Sequence, residues 1–202
     1  MQFMFRAVLG VGLVLCAIIA ATTTAAATDR EAQVDRARGH IVRWDIVQIT
    51  NGVVVPGGTA VSRDAATGDS VSLTGSGQAK PAERQASGGG TFVHRHADGT
   101  LFAQGVYYVT GFASWESLGG SLASTGLIDG VGPANDQSAG EMALRVHLVP
   151  NGGGSGFDGV LTIHCNLPGA IREIEEGFSL DVGSFHFAPV AGQGFTLFHI
   201  LH

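Results

Sequence analysis

The side chains in this sequence best suited to chemistry are its histidines. His94 and His96 lie two apart in Thr91-Phe92-Val93-His94-Arg95-His96. On an extended strand that spacing turns both imidazoles to one face, a geometry that offers two nitrogens to one divalent metal. His147 and His164, in two further extended runs, are the candidates to complete such a site. The same spacing also arises wherever a half-exposed strand carries polar residues outward, and no Asp or Glu stands close in sequence on that face. Acids in apolar surroundings are Asp45, Glu116, Glu141 and Asp181, each able to sit in a barrel mouth with a shifted pKa. Asp45, beside Arg43 and Trp44, and Tyr107 are the candidates for acid–base catalysis, with an ion pair or an outward strand acid as the plainer reading of Asp45. Cys165 follows His164, but neighbours on a strand point to opposite faces. That pair is therefore no thiolate and base, and Cys165 reads as a buried structural residue.

The common hydrolase and nucleotide signatures are missing: no Gly-x-Ser-x-Gly elbow, phosphate loop, dinucleotide fingerprint or His-Glu-x-x-His helix occurs. Ser155 sits in a glycine run without the strand and helix that a nucleophile elbow needs. Aromatics gather at Tyr107, Tyr108, Phe112 and Trp115, and again at Phe178, Phe185, Phe187, Phe195 and Phe198. On alternating strands these are core residues or, where several rings share an exposed face, a platform for an apolar ligand.

The elements that must position these residues are strands. Apolar residues fall into short runs rich in β-branched and aromatic side chains, separated by Gly, Pro, Asn and Asp. Thr91–His96 and Thr100–Thr110 flank Asp98-Gly99, the turn chemistry of a hairpin. Further strands are predicted at Ile41–Ile49, Thr59–Ser62, Ser70–Thr74, Met142–Val149, Gly159–Leu167, Phe178–Phe187 and Phe195–Leu201, eight to ten in all. Met142, Leu144, Val146 and Leu148 alternate with Ala143, Arg145, His147 and Val149, and Leu161, Ile163 and Cys165 alternate with Thr162 and His164. One face of each strand is buried and a histidine lies on the other. Of the 31 glycines many occur in clusters, which serve tight turns and barrel corners. The segments 78–90 and 126–140 read as loops.

Residues 1–27 have the layout of an export signal: one basic residue, Arg6, then the apolar run Ala7–Ala21, then small residues ending at Ala25-Ala26-Ala27. Cleavage there places the protein outside the cytoplasm, secreted or periplasmic, with no integral membrane segment left. Cys16 lacks the small preceding residue of a lipid-anchor site, since Leu15 precedes it. Removing the signal takes away Arg6 and no acid, so the formal charge goes from −6 to −7. An acidic protein of this kind is a poor partner for nucleic acid. Cys165 is then the single cysteine, so no intramolecular disulfide forms. Residues 28–39 form a charged leader, and 40–202 the domain.

The run Pro56-Gly57-Gly58-Thr59-Ala60, then Gly68 to Gly77 with Leu73-Thr74-Gly75-Ser76-Gly77, then Gly88-Gly89-Gly90-Thr91-Phe92, resembles a layout found in secreted bacterial glycine-rich β proteins. The recurrence of glycine-punctuated antiparallel strands is similar to the allene oxide cyclase and dirigent type of barrel. These resemblances imply a fold and transfer no site residue. The sequence thus predicts an all-β domain, a single antiparallel barrel with a sandwich as the alternative. It reads as a binding or structural module for an unidentified partner such as a small hydrophobic ligand, with no cofactor unless the histidines take a divalent metal. A barrel cyclase or isomerase acting on an apolar molecule is the second reading. Self-association is the third, through Phe195–Leu201, a terminal strand apolar on both faces that must be central, closed into a barrel, or paired with another molecule.

Overall fold

A computed structural model describes residues 40–201. The proposed signal, the charged leader and His202 lie outside the described residues. Thirteen strands and no α-helix make up the described chain. They are β1 (Ile41–Thr50), β2 (Val53–Pro56), β3 (Ala60–Asp64), β4 (Ser70–Leu73), β5 (Ser76–Lys80), β6 (Gln85–Arg95), β7 (Leu101–Gly119), β8 (Ile128–Asp129), β9 (Gln137–Pro150), β10 (Phe157–Cys165), β11 (Gly177–Val182), β12 (Phe185–Pro189) and β13 (Phe195–Leu201).

Ten of these close an antiparallel ring, in the order β9, β10, β11, β12, β3, β4, β6, β5, β1, β13 and back to β9. Closure leaves the ring without a free edge, the device by which small β proteins avoid edge-to-edge pairing. β2, β8 and β7 are outside this ring. β7 is nonetheless paired with β6 from Leu101 to Tyr108 and with β9 from Gly105 to Gly119, with three register breaks on the β9 side that let so long a strand bend.

The predicted alternation is what buries the core. Met142, Leu144, Val146, Leu161, Ile163 and Cys165 are all 1% exposed or less. Trp44, Phe178 and Phe198 are the largest side chains fully enclosed with them. The predicted Asp98-Gly99 hairpin joins β6 to β7, with Gly99 at φ +84°. Two sequence expectations change. The run Phe178–Phe187 is two strands, broken at Gly183 (φ +60°). The stretches 78–90 and 126–140 are not loops throughout, since they hold most of β5, the start of β6, all of β8 and the start of β9. Their side chains carry little apolar pattern because the ladder there is held by backbone, and at Gly88 bulk would not fit: a Cβ there would stand 2.8 Å from Trp44 Cζ2.

From Thr196 to His199 β13 is buried on both faces. It pairs with β1 along its whole length, Val47 opposite Phe195 through Ile41 opposite Leu201, and with β9 at Phe198 and His199. Its outer face is covered by the segment between β7 and β9. There His199 donates from Nε2 to Asp129 (2.9 Å), Arg43 donates to the Val131 carbonyl (3.1 Å), and Leu122 and Leu127 approach Val47 and Leu197.

Candidate functional site

The paired register of β4 and β6 sets up one mouth of the barrel. Leu73 lies opposite Phe92 and Val71 opposite His94, so Phe92, His94 and His96 form a column on one face, with Phe92 and His94 buried and His96 exposed. Asp69, just before β4, lies beside this column. His94 donates from Nε2 to Asp69 Oδ2 (3.0 Å), His96 meets the same oxygen through Nδ1 (3.2 Å), and the Ala97 N–H bonds to Oδ1 (3.2 Å). The carboxylate missing from the sequence neighbourhood of His94 is therefore supplied from 25 residues away.

Around this polar pair the wall is aromatic. The His94 ring stands 4.5 Å from Phe102, 4.8 Å from Phe185 and 5.1 Å from Phe187, meeting the last two edge-on. These rings, with Phe92, Phe157, Val71, Leu148 and Leu180, line a cavity of about 240 Å³. Phe102 reaches it through a break in the β6–β7 ladder. His94 pairs with Ala103 and Arg95 with Leu101, leaving Phe102 as the extra residue of a bulge. Phe102 and Phe157 remain about half exposed, at 48% and 52%. Burial lowers the His94 pKa, opposed by the hydrogen bond and charge of Asp69. The neighbouring Asp64 carboxylate accepts from the His186, Ala66 and Thr67 N–H groups, chiefly the first, and these bonds hold its pKa below the usual carboxylate range.

The other candidate histidines lie elsewhere. His147 bonds through Nδ1 to Asp158 (2.7 Å). His164 bonds through Nε2 to Ser179 Oγ (2.8 Å), with Nδ1 3.3 Å from Glu141, a carboxylate also held by Arg172. Ser179, His164 and Glu141 thus stand in the order of a nucleophile relay, but on three neighbouring strands whose backbone is engaged in the β9–β10–β11 ladder. The structure brings His94 and His96 together and leaves His147 and His164 with partners of their own. Among the described residues no group of three or more His, Cys, Asp or Glu is placed to hold a metal ion.

Asp45 is fully buried and paired with Arg43: NH2 donates to Oδ1 (2.9 Å), while Nε lies 2.7 Å from Oδ2. Oδ2 makes no hydrogen bond of good geometry, so the second contact is one of charge. Tyr107 is buried, donates to the Thr74 carbonyl (2.9 Å), and is held neutral by burial that raises its pKa. It does not line the cavity. Tyr107→Phe should cost about 1–2 kcal/mol by leaving that carbonyl without its donor, with ligand binding unchanged; a urea midpoint shift measures it, and an unshifted midpoint would show the bond contributes nothing.

Two site features escaped the sequence. Asp69 was legible only once the β4–β6 register was known, because that register carries it to His94. Glu176 lines a second apolar cavity of about 170 Å³, with Val47, Leu122, Leu127 and Leu197. Its carboxylate accepts from Asn166 N–H (2.5 Å), Thr196 N–H (2.6 Å) and Thr196 Oγ (2.9 Å). Burial nonetheless pushes its pKa up to about 7. Set beside known protein families, curated proteins and solved structures, the chain matches none of them.

Proposed function

We propose that this barrel is a binding module for a small apolar molecule carrying a ring, held in the cavity lined by Phe102, Phe157, Phe185 and Phe187. The observation that carries this reading is the cavity's chemistry. Five phenylalanines are the bulkiest part of its wall, two of them left half exposed at its edge, and the polar side chains that line it are Ser184 and the oriented His94. That combination is what small-molecule sites use: apolar surface for affinity and a few placed polar atoms for orientation. With Nε2–H given to Asp69, the His94 ring keeps Nδ1 as an acceptor, which suits a ligand bearing one hydroxyl. At about 240 Å³ the space takes one or two fused rings rather than a drug-sized molecule.

The test is calorimetric titration with 1-naphthol. The wild-type protein is expected to bind it, and Phe102→Ala to weaken binding roughly tenfold or more, as losing the contact that a ligand makes with this half-exposed ring implies. Tyr107→Phe is expected to bind as wild type. No binding by the wild type, or equal binding by Phe102→Ala, would overturn the reading.

A further inference from the structure

We propose that His94 and Asp69 form a general-base pair, which takes a proton from carbon on a ring-bearing apolar substrate seated in the cavity. The inference rests on the cavity being the ligand site and adds to it a reaction. The parts are those that base catalysis requires: a base at the substrate and a second group that orients the base. Asp69 accepts from His94 Nε2 at 3.0 Å, which fixes the tautomer and leaves the lone pair on Nδ1. Asp69 is itself fixed, by the Ala97 N–H and by His96, and is 5% exposed. The His94 ring is 6% exposed and packed between Phe102, Phe185 and Phe187, so its rotamer is held and bulk water is kept from it. A buried carboxylate beside the ring stabilises the imidazolium that forms when Nδ1 takes the proton, as the triad carboxylate does in serine proteases.

The step balances without an outside reagent. The C–H bond of the substrate breaks, the proton goes to Nδ1, and the electron pair moves into the substrate. There it either expels an oxygen leaving group, giving an elimination, or forms an enolate that regains the same proton from Nδ1 at another carbon, giving an isomerisation. The substrate class is a neutral, apolar ring system with a C–H made acidic by an adjacent carbonyl or C=N group.

The probe is 5-nitrobenzisoxazole, whose isoxazole ring opens to a coloured cyanophenolate when a base removes the proton on C3 and the N–O bond breaks. The full chain is assayed with it, beside 1-naphthol titration and a thermal melt of each variant. Wild type is expected to open the ring well above the rate of free imidazole at equal concentration. His94→Gln and His94→Ala should lose about 100-fold, the scale of a positioned base, while the thermal melt shows them folded and 1-naphthol binds more weakly by the loss of one hydrogen bond. Asp69→Asn is expected to lose rate with naphthol binding kept, because an amide does not stabilise the imidazolium. If wild type binds 1-naphthol but opens the probe no faster than imidazole, the base proposal fails and the binding site stands. If wild type binds no naphthol, both fall. If the folded His94 variants keep the wild-type rate, the base is another group and the proposal is overturned.

Discussion

Trp44→Ala is expected to lower the stability of the barrel by about 3–5 kcal/mol, the range for removing a fully buried large aromatic side chain. The indole is fully buried on β1 and fills space that the opposite strands were shaped to leave. A Cβ on Gly77 would lie 2.7 Å from Nε1, and one on Gly88 would lie 2.8 Å from the Cζ2 carbon. Gly88 is moreover at φ +135°, a conformation that L side chains rarely adopt, so no neighbouring strand residue can grow into the void. The indole N–H has no hydrogen-bond partner, so truncation forfeits packing and no polar bond. For a domain of this size the loss corresponds to roughly a 10 °C fall in melting temperature. A fall of only a degree or two in a thermal melt would show that the ring is not what fills the barrel.

The second large effect is a pH dependence set by Glu176. Burial raises its pKa from 4.5 to about 7 in the folded protein, so the fold holds this proton more tightly than the unfolded chain does. Its contribution to stability is complete below pH 4.5 and is lost as pH rises toward 7. On the order of 2–3 kcal/mol should disappear between pH 5 and 8. Glu176→Gln removes the titration and adds a pH-independent cost of about 1 kcal/mol. The amide oxygen keeps the Thr196 donors, and the amide nitrogen cannot accept from the Asn166 N–H. The difference between wild type and variant isolates the carboxyl. His94 and His164, whose pKa values burial lowers, add stability as pH rises toward 6.5, and do so in both proteins. Denaturant midpoints for both proteins at pH 5, 6, 7 and 8 provide the measurement. A difference that stays constant across that range would mean Glu176 is ionised throughout.

The strands themselves were local matters. Alternation in Met142–Val149 and Gly159–Leu167 fixed which side chains face the core, since a period of two leaves a strand one choice of face once one side is greasy. Asp98-Gly99 named its own turn. Phe195–Leu201, apolar on both faces, had to be central, closed into a barrel or paired with another molecule, and β13 is paired on both sides within the ring. The short strands β5 and β8 were not legible, because they are held by backbone hydrogen bonds and carry little apolar pattern.

The candidate site divides in the same way. His94 and His96 were visible from their spacing, which a strand converts directly into a shared face. Asp45 looked like an acid in apolar surroundings, and it is one, but Arg43 two residues away already pairs with it. By itself the sequence determined an all-β chain, the faces of its longer strands and the hairpin that carries His94. Only the tertiary structure decided that the strands close into a ring, that Asp69 reaches His94, and that a bulge delivers Phe102 to the cavity. The reason is register. Side-chain direction along one strand is set by its own backbone, whereas which residues meet across strands is settled by how the whole ring closes.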